Sequence, residues 1–382
     1  MNLKIPQPFP QPFPFSATVP ILYDSSSKKR IFVRKLIKHK NDMMKYATIL
    51  DIARELGISK STVSRALRGD SQNVSKETRT KILEMADKLG YKRNELAVNL
   101  RQQSTRTIGI IVPEMITSFY VNFITFAQQH LNKAGYRVML AQSHENPDVE
   151  KMNLKMMEDY RVDGILISVC HDHINLSEYQ RIMDKGTSMV FFDRTVAELK
   201  TSQIKIDDYI KSFFMVEHLI RQGRKRIVHL AGPPYIQNTF DRIRGYKDAL
   251  DKFGIPFDKK FLVEGGVDFD SGYGAAKTLW EHGVTFDAIF SFTEMSALGA
   301  KNYLQSKQIR IPEEVAVSCM SGTDLCKLVH PTITAVEQPV EQMAETASRI
   351  IIEKLENPSL PHTTVVLDAE SVYRESTRNR SE

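Results

Sequence analysis

The sequence predicts an α/β protein with two parts: a small all-α unit near the front and a larger core built on parallel sheets. Residues 48–90 carry apolar positions at the spacing of short helices. From Thr107 onward, apolar runs without alternation are separated by amphipathic helical stretches. Those runs are IGIIV, YRVMLA, GILIS, MVFFD, RIVHLAG, AIFSF and EVAVSCM. Strands of this kind are buried on both faces, which indicates a parallel sheet with helices on both sides.

The charge of the chain divides along the same boundary. Residues 1–107 hold 21 Lys and Arg against 9 Asp and Glu, a net charge of +12, whereas the remaining residues carry −6. A basic front joined to an acidic body indicates that the front meets a polyanion. A basic face that is merely solvated would give the same charge. Sequence motifs are therefore needed to distinguish it from a surface that binds a polyanion.

The composition favours a cytoplasmic protein that does not cross a membrane. No run approaches the ~18 consecutive apolar residues that a membrane span requires. The first 30 residues lack the pattern of a secretory signal. The three cysteines, Cys170, Cys319 and Cys326, do not suggest a disulfide framework.

Residues 1–45 differ from the rest and are expected to form a disordered leader. PQPFPQPFPF cannot join a helix or a central strand, and KKRIFVRKLIKHK is a dense cationic run. One alternative is that the basic run adds loose phosphate contacts. Another is that the segment lies upstream of the true start, because Met43 and Met44 immediately precede the ordered pattern.

Three short helices with polar N-caps are expected in residues 46–92. The caps are Thr48 with Asp51 in a capping box, Ser59 before a helix at 60–68, and Ser75 before a helix that ends at Gly90. A helix, a tight turn at Gly57 and a second helix form the pattern of a helix-turn-helix.

The second of these helices has an unusual polar face. One side of it carries only short hydroxyls and long cations, namely Lys60, Ser61, Ser64 and Arg65. Such a face cannot build a core, but it suits contact with an anion.

The core is expected to form two lobes with a ligand-binding crevice between them. About 270 residues exceed what one small doubly wound sheet needs. Helices are predicted near 120–134, 209–222, 241–253, 271–282 and 295–307. Ligands of such folds bind at the carboxyl ends of the strands.

Six segments in order resemble the LacI/GalR (lactose/galactose repressor) family of transcriptional regulators. They are ATILDIARELGISKSTVSRALRG, VSKETRTKILEMADKLGY, VDGILI, FFDR, HLIRQGRKRIVHLAGP and DRIRGYKDAL. The resemblance runs from Thr48 to about residue 372 and implies a helix-turn-helix headpiece, a hinge helix and a two-lobed periplasmic-binding-protein-like core of parallel sheets. The expected domains are 1–45 leader, 46–92 headpiece, 93–107 hinge helix and linker, 108–375 effector-binding and dimerisation core, and 376–382 tail.

The resemblance also implies which residues contact DNA. The second helix of such a headpiece lies in the major groove, where Lys60 and Ser61 would read bases and Arg65 would form a bidentate contact with guanine. The full expected set is Thr48, Ser59, Lys60, Ser61, Thr62, Ser64, Arg65, Ser75, Thr78, Arg79, Tyr91, Asn94, Ala97 and Leu100.

The last three of these residues belong to the predicted hinge helix. Asn94 would cap it, and by position Leu100 is the leucine that relatives wedge between base pairs in the minor groove. Arg93 stands where the family commonly has proline, which adds a cation and removes a rigid lead-in. An ordinary linker whose leucine packs on the core is the alternative.

The effector site implied by the resemblance departs from the family pattern. The expected contacts are Phe119, Tyr120, Asp193, Arg242, Thr293, Glu294 and Ser321. Thr293-Glu294 replaces the usual Asn-Asp, and Ser321 stands where relatives place a carboxylate. A changed acceptor changes the ligand class, so a sugar, a phosphorylated sugar or another small polar metabolite remains open.

The predicted function is a DNA-binding transcriptional regulator, more a repressor than an activator, whose operator affinity is controlled by a sugar-like effector in the interlobe cleft. Its expected partners are double-stranded operator DNA, the effector and a second copy in a homodimer, with no membrane and no cofactor.

Cys170, His171, Asp172 and His173 lie too close together for a tetrahedral metal site. No catalytic motif appears, so no enzyme is expected. The alternatives are a solute-binding protein without a DNA role and a sugar-modifying enzyme.

Overall fold

The computed structural model describes residues 47–68, 73–92 and 104–378. The chain folds as two compact units that divide at residue 95. The predicted leader at 1–45 and three predicted hinge residues lie outside the described residues; these three are Asn94, Ala97 and Leu100.

The first unit consists of helices α1 (Ile49–Leu56), α2 (Lys60–Leu67) and α3 (Lys76–Lys88). Their N-termini are satisfied by the predicted caps. The Asp51 carboxylate accepts from the Thr48 backbone N–H at 2.8 Å. The Ser59 and Ser75 hydroxyls accept from the amides three residues on, at 3.1 and 3.2 Å. Each cap accepts a hydrogen bond from a backbone N–H group that has no partner within its helix, and this favours a helix start at that residue.

A small apolar core joins these three helices. Ile52 of α1, Val63 and Ala66 of α2, and Ile82 of α3 are buried together. Gly57 ends α1 with φ 66°, a left-handed conformation that glycine adopts without strain. The tight turn therefore brings α2 against α1, as the sequence predicted.

The second unit alternates strands and helices. Its helices are α4 (Ser118–Lys133), α5 (Pro147–Asp159), α6 (Leu176–Asp184), α7 (Asp208–Arg221), α8 (Gln237–Lys252), α9 (Phe269–Glu281), α10 (Glu294–Ser306), α11 (Leu325–Leu328) and α12 (Val340–Glu356). Its strands are β1 (Thr107–Val112), β2 (Arg137–Gln142), β3 (Gly164–Ile167), β4 (Ser188–Phe192), β5 (Ser202–Ile206), β6 (Ile227–Ala231), β7 (Leu262–Glu264), β8 (Ala288–Ser291), β9 (Ala316–Gly322), β10 (Thr334–Glu337), β11 (Thr364–Leu367) and β12 (Glu370–Val372).

The strands form two sheets, one in each lobe of this unit. The order in the first lobe is β2-β1-β3-β4-β5-β11, and all its pairs are parallel. The order in the second lobe is β7-β6-β8-β9-β10-β12, in which only β12 runs antiparallel to its neighbour. The inner strands β3 and β8 are wholly buried, because helices cover both faces.

The chain crosses between the two lobes three times. It leaves the first lobe after Ile206, returns between Glu337 and Val340, and crosses again between Leu367 and Glu370. Helix α12 consequently packs against α4 of the first lobe, although it follows the second lobe in sequence. Residues 340–367 therefore complete the first lobe, which the sequence pattern did not predict.

The helices expected from the sequence each begin slightly earlier than predicted. The starts of α4, α7, α8, α9 and α10 lie one to four residues before 120, 209, 241, 271 and 295. First turns are rich in polar residues that carry no apolar period, so periodicity alone places them late.

A glycine on α8 is required by close helix packing. A Cβ on Gly245 would lie 2.9 Å from the backbone nitrogen of Phe213 and would also clash with the carbonyl oxygen of Tyr209, both on α7. Gly274 of α9 has nothing within 4 Å of the same point. The two glycines therefore form a matched pair, one packed and one free.

We expect Gly245→Ala to lower the free energy of unfolding by about 2 kcal/mol, because α7 and α8 must move apart. Gly274→Ala should be neutral or stabilise by about 0.5–1 kcal/mol, because alanine favours a helix. Denaturant unfolding of both variants measures the difference. Equal effects of the two substitutions would contradict this packing.

Candidate functional site

The polar face of α2 points to solvent. Lys60, Ser61 and Arg65 are exposed, whereas Val63 and Ala66 on the opposite side are buried. The predicted base-contacting residues are therefore free to reach a ligand of this unit.

The hydroxyls around α2 are partly engaged within the helix. The Ser59 hydroxyl hydrogen-bonds those of Ser61 at 2.7 Å and Thr62 at 2.8 Å. Arg68 donates to both the carbonyl and the hydroxyl of Ser64 at 3.1 Å. Because the Ser64 hydroxyl accepts from Arg68, its own proton remains available to a phosphate oxygen, and Arg68 places a second cation beside it.

The remaining predicted DNA contacts of this unit flank α1 and α3. Thr48 completes the cap of α1, and Thr78 shares a hydrogen bond of 2.8 Å with Ser75. Arg79 is half-buried, and Tyr91 packs against the apolar core. Tyr91 thus has a structural role beside its predicted contact.

The cleft between the two lobes contains a cavity of about 30 Å³. Its walls follow the carboxyl ends of strands in both sheets, as expected for this class of fold. It is lined by Glu114, Thr117, Phe119, Tyr120, Asp193, Arg194, Asn238, Arg242, Val267, Phe292, Thr293, Ser321 and Gln338. A cavity of this size is far smaller than the several hundred Å³ that a bound small molecule typically occupies.

Six of the seven predicted effector contacts line this cavity, and Glu294 does not. Its carboxylate is buried and accepts from the backbone N–H of Thr323 at 2.7 Å and from the Thr323 hydroxyl. It thereby ties the start of α10 to the loop after β9. Thr293 lines the cavity, but its hydroxyl also caps α10 through the Ser296 amide at 3.1 Å.

Asp193 is held at the end of β4 in a left-handed conformation, with φ 57°. Its carboxylate accepts from the Tyr120 hydroxyl at 2.8 Å, and that hydroxyl also bonds Ser168 at 3.0 Å. Burial raises the pKa of Asp193, while the positive charges of Arg194 and Arg242 oppose the rise. The hydrogen bond to Tyr120 thus fixes the position of the Asp193 carboxyl group. The nearby arginines do not fully offset the cost of burying its negative charge.

Arg242 of α8 is only 2% exposed and is held by partners on two sides. Its Nε donates to Asp208 at 2.7 Å, and a terminal nitrogen donates to the Phe292 carbonyl at 2.8 Å. The guanidinium lies over the Phe292 ring at 4.0 Å. Asp208 also accepts from Asn238 at 3.0 Å, and burial raises the pKa of Asp208 to about 6 although Arg242 opposes the rise.

Glu114 and Arg194 were not predicted from the sequence. Arg194 is 4% exposed and donates to Glu145 at 2.8 Å. Glu114 accepts from the backbone N–H groups of Ile116 and Thr117 before α4, the latter at 2.9 Å. Both follow strands at the same sheet edge as Asp193, and that position was the signal that could have indicated them.

Two loops bring the lobes into contact beside the cleft. The His171 ring stacks on the Tyr235 ring with centroids 5.0 Å apart, and the Asp172 amide donates to the Tyr235 carbonyl at 3.3 Å. Burial raises the pKa of Asp172 to about 6, opposed by His173, by the backbone N–H of Gln237 and by Arg194. Glu198 reinforces the rise.

A second, open cavity of about 410 Å³ adjoins the first and shares Asp193 and Asn238 with it. Its remaining charged residues are Lys205, Asp207, Asp208, Asp241 and Arg244.

Among the residues that the structure describes, no group of His, Cys, Asp and Glu could hold a metal ion. No helix in the described ranges is both long and apolar enough to cross a membrane.

Two family comparisons match the two units. Residues 48–94 match the family described as bacterial regulatory proteins, lacI family. Residues 105–364 match the periplasmic binding proteins and sugar binding domain of LacI family. The chain belongs to the LacI family. It is a DNA-binding transcriptional regulator with a helix-turn-helix and a sugar-binding-type core.

Curated relatives of this LacI-family regulator are themselves regulators. Catabolite control protein A of Priestia megaterium is 29% identical over 337 residues, which span 87% of this chain and 99% of the relative. The HTH-type transcriptional repressor CytR of Escherichia coli (strain K12) is 27% identical over 333 residues, with coverage of 87% and 96%.

Solved structures agree with the fold. A transcriptional regulator CelR–cellobiose complex has a TM-score of 0.66 and 26% identity, covering 86% of this chain and 99% of that one. The lac repressor dimer bound to operator and the anti-inducer ONPF has a TM-score of 0.76 and 20% identity, covering 87% and 99%.

We expect Asp172→Asn to stabilise this regulator at neutral pH by about 1–3 kcal/mol. The folded pKa of Asp172 lies above its unfolded value, so the carboxyl costs stability as the pH rises from about 4 to about 6. The advantage of the variant should therefore disappear as the pH falls towards 4.

Denaturant unfolding at several pH values measures this, with the exposed Asp159→Asn as the matched control. A loss of stability in Asp172→Asn that is constant over the pH range would contradict the assignment.

Proposed function

We propose that this regulator represses transcription by binding a near-palindromic operator as a homodimer, and that a small polar effector in the interlobe cleft controls its operator affinity. The exposed hydroxyl and cation face of α2 carries the DNA part of the proposal. The polar cavity between the lobes carries the effector part. A solute-binding protein without a DNA role would not need the first unit.

The α2 face has the chemistry that major-groove recognition requires. The exposed guanidinium of Arg65 matches the two acceptors of guanine, and Lys60 and Ser61 lie at the helix N-terminus, where base edges are reached. Thr48, Ser75 and Thr78 mark helix starts, where backbone amides suit phosphate. Asn94, Ala97 and Leu100 are proposed to extend the contact into the minor groove.

The cleft has the chemistry of a site for a hydroxylated ligand. Carboxylate, guanidinium, amide and hydroxyl groups converge there with Phe119, Tyr120 and Phe292. The relatives named above include a complex with cellobiose and a repressor with an anti-inducer. We propose that Phe119, Tyr120, Asp193, Arg242, Thr293 and Ser321 contact the effector directly and that Glu294 positions the loop after β9 through its bonds to Thr323.

The proposed coupling is a change in lobe closure that alters the spacing of the two headpieces. Such coupling is reciprocal and amounts typically to about 1–3 kcal/mol. We further propose that the core binds its ligand without transforming it and that the protein works in the cytoplasm. Three buried free thiols are consistent with a reducing compartment.

Arg65→Ala should relax base preference at one operator position, at a cost of about 1–3 kcal/mol for the preferred base. Binding of the wild type to duplex DNA should weaken with salt, with a slope of about −0.9 per phosphate contacted. A binding assay on operator variants over a salt series measures both quantities.

The control is Lys88→Ala, which removes an exposed cation at the last turn of α3. It should leave base preference unchanged. A wild-type affinity that is weak and independent of salt would reject the proposed function.

A further inference from the structure

The charges of the cleft are already compensated within the chain. Both guanidinium groups that line the cavity have carboxylate partners behind it: Arg194 bonds Glu145 at 2.8 Å and Arg242 bonds Asp208 at 2.7 Å. Each of these arginines is at least nine-tenths buried. Their N–H groups can still direct hydrogen bonds, but the two pairs contribute no net positive charge to a ligand.

Two further carboxylates line the same cavity. Asp193 accepts from the Tyr120 hydroxyl, and Glu114 accepts from the hydroxyl and backbone N–H of Thr117. These partners are neutral donors. With the two ion pairs balanced, no further cation among the described residues lines the cavity to offset Glu114 and Asp193, so ionisation of either carboxyl group makes the cavity negative.

Several backbone amides around the cleft already have acceptors from the chain. A free helix N-terminus is a common site for phosphate or carboxylate. Glu114 accepts from the Ile116 and Thr117 amides in the loop before α4. Thr293 accepts from the Ser296 amide of α10, and Asp172 faces the Gln237 amide at the start of α8. A ligand anion that bound these particular amides would have to displace one of these acceptors.

The adjoining cavity is also lined by more carboxylates than cations. Asp193, Asp207, Asp208 and Asp241 border it, against Lys205 and Arg244. A ligand that extends from the interlobe cavity into this opening would therefore continue to meet more carboxylates than cations.

One buried acceptor at the cavity, the Oε1 atom of Gln338, has no hydrogen-bond donor among the described residues. The Gln338 side chain lines the cavity and is 9% exposed. Its amide nitrogen donates to the Ser321 hydroxyl at 2.9 Å, while its Oε1 has no hydrogen-bond partner among the described residues. A hydroxyl or ammonium group can satisfy this oxygen, whereas a phosphate dianion has no proton to donate.

We propose that the cleft selects a hydroxylated ligand that is uncharged or carries an amino group, and that it discriminates against the phosphorylated form of the same ligand. This inference rests on the proposed function of the cleft as an effector site. Discrimination arises from repulsion by Glu114 and Asp193 and from the lack of an uncompensated cation. The two arginines then serve as directional donors to ligand hydroxyls.

Matched ligands test the proposal on the full-length protein. Thermal shift and titration calorimetry in phosphate-free buffer at neutral pH would compare glucose, glucosamine and glucose 6-phosphate, then ribose with ribose 5-phosphate, and adenosine with its monophosphate. Within each set that binds, the unphosphorylated member should bind at least about tenfold tighter. Tighter binding of a phosphorylated member would overturn the inference.

Charge-neutral variants identify the source of the discrimination. Asp193→Asn and Glu114→Gln preserve the shape of each side chain and one acceptor oxygen while removing the charge. Each should narrow the difference in affinity between the unphosphorylated and phosphorylated members several-fold. The surface variant Asp159→Asn should leave this difference unchanged. An unchanged difference in both cleft variants would contradict the inference.

Failure of the proposed function gives a different result. In that case no member of any set would stabilise the protein, and no member would change its affinity for duplex DNA. That outcome would remove the effector site and this inference with it. Binding of a phosphorylated member that also alters DNA affinity would leave the function standing and overturn only the ligand class.

Discussion

The buried ion pair between Arg242 and Asp208 is the interaction on which the cleft depends. It joins α8 to the first turn of α7, the helix by which the chain enters the second lobe. Neither charge could remain buried without the other. Because the Phe292 carbonyl and ring hold the guanidinium from the remaining sides, its free N–H groups point in a fixed direction. Asp208 thus compensates the charge of Arg242, and the guanidinium acts on a ligand mainly as a hydrogen-bond donor of fixed direction.

The two sheets explain why the functional groups meet at this place. Parallel strands end at one edge, and the two such edges face each other across the cleft. The chain crosses between the lobes three times, so closure of the lobes alters three connections at once. Arg242 and Asp193 come from opposite lobes and line one cavity, so a ligand that bonds both would favour closure. The headpiece is a separate unit with its own core, as a regulator that couples two sites requires.

The sequence predicted local features well and long-range ones poorly. The caps at Thr48, Ser59 and Ser75 and the polar face of α2 depend on neighbouring residues, so the pattern was sufficient. Strands β10 to β12 have four residues or fewer and join sheets through pairing with distant segments, which no local period reveals. Glu294 matched a family position, but it is not among the residues that line the cavity in this structure, where its carboxylate bonds Thr323. Arg194, Glu114 and Gln338 were missed because they become neighbours only through folding.

Whether Asp208 compensates Arg242 can be measured by denaturant unfolding of four proteins at neutral pH: the wild type, Arg242→Met, Asp208→Asn and the double variant. If Asp208 compensates Arg242, the loss of Arg242 alone should cost about 3–5 kcal/mol, because a carboxylate is left buried without its partner. The double variant should then be more stable than Arg242→Met alone. A double variant whose loss of stability equals the sum of the two single losses would show that the two charges are independent and that Asp208 does not compensate Arg242.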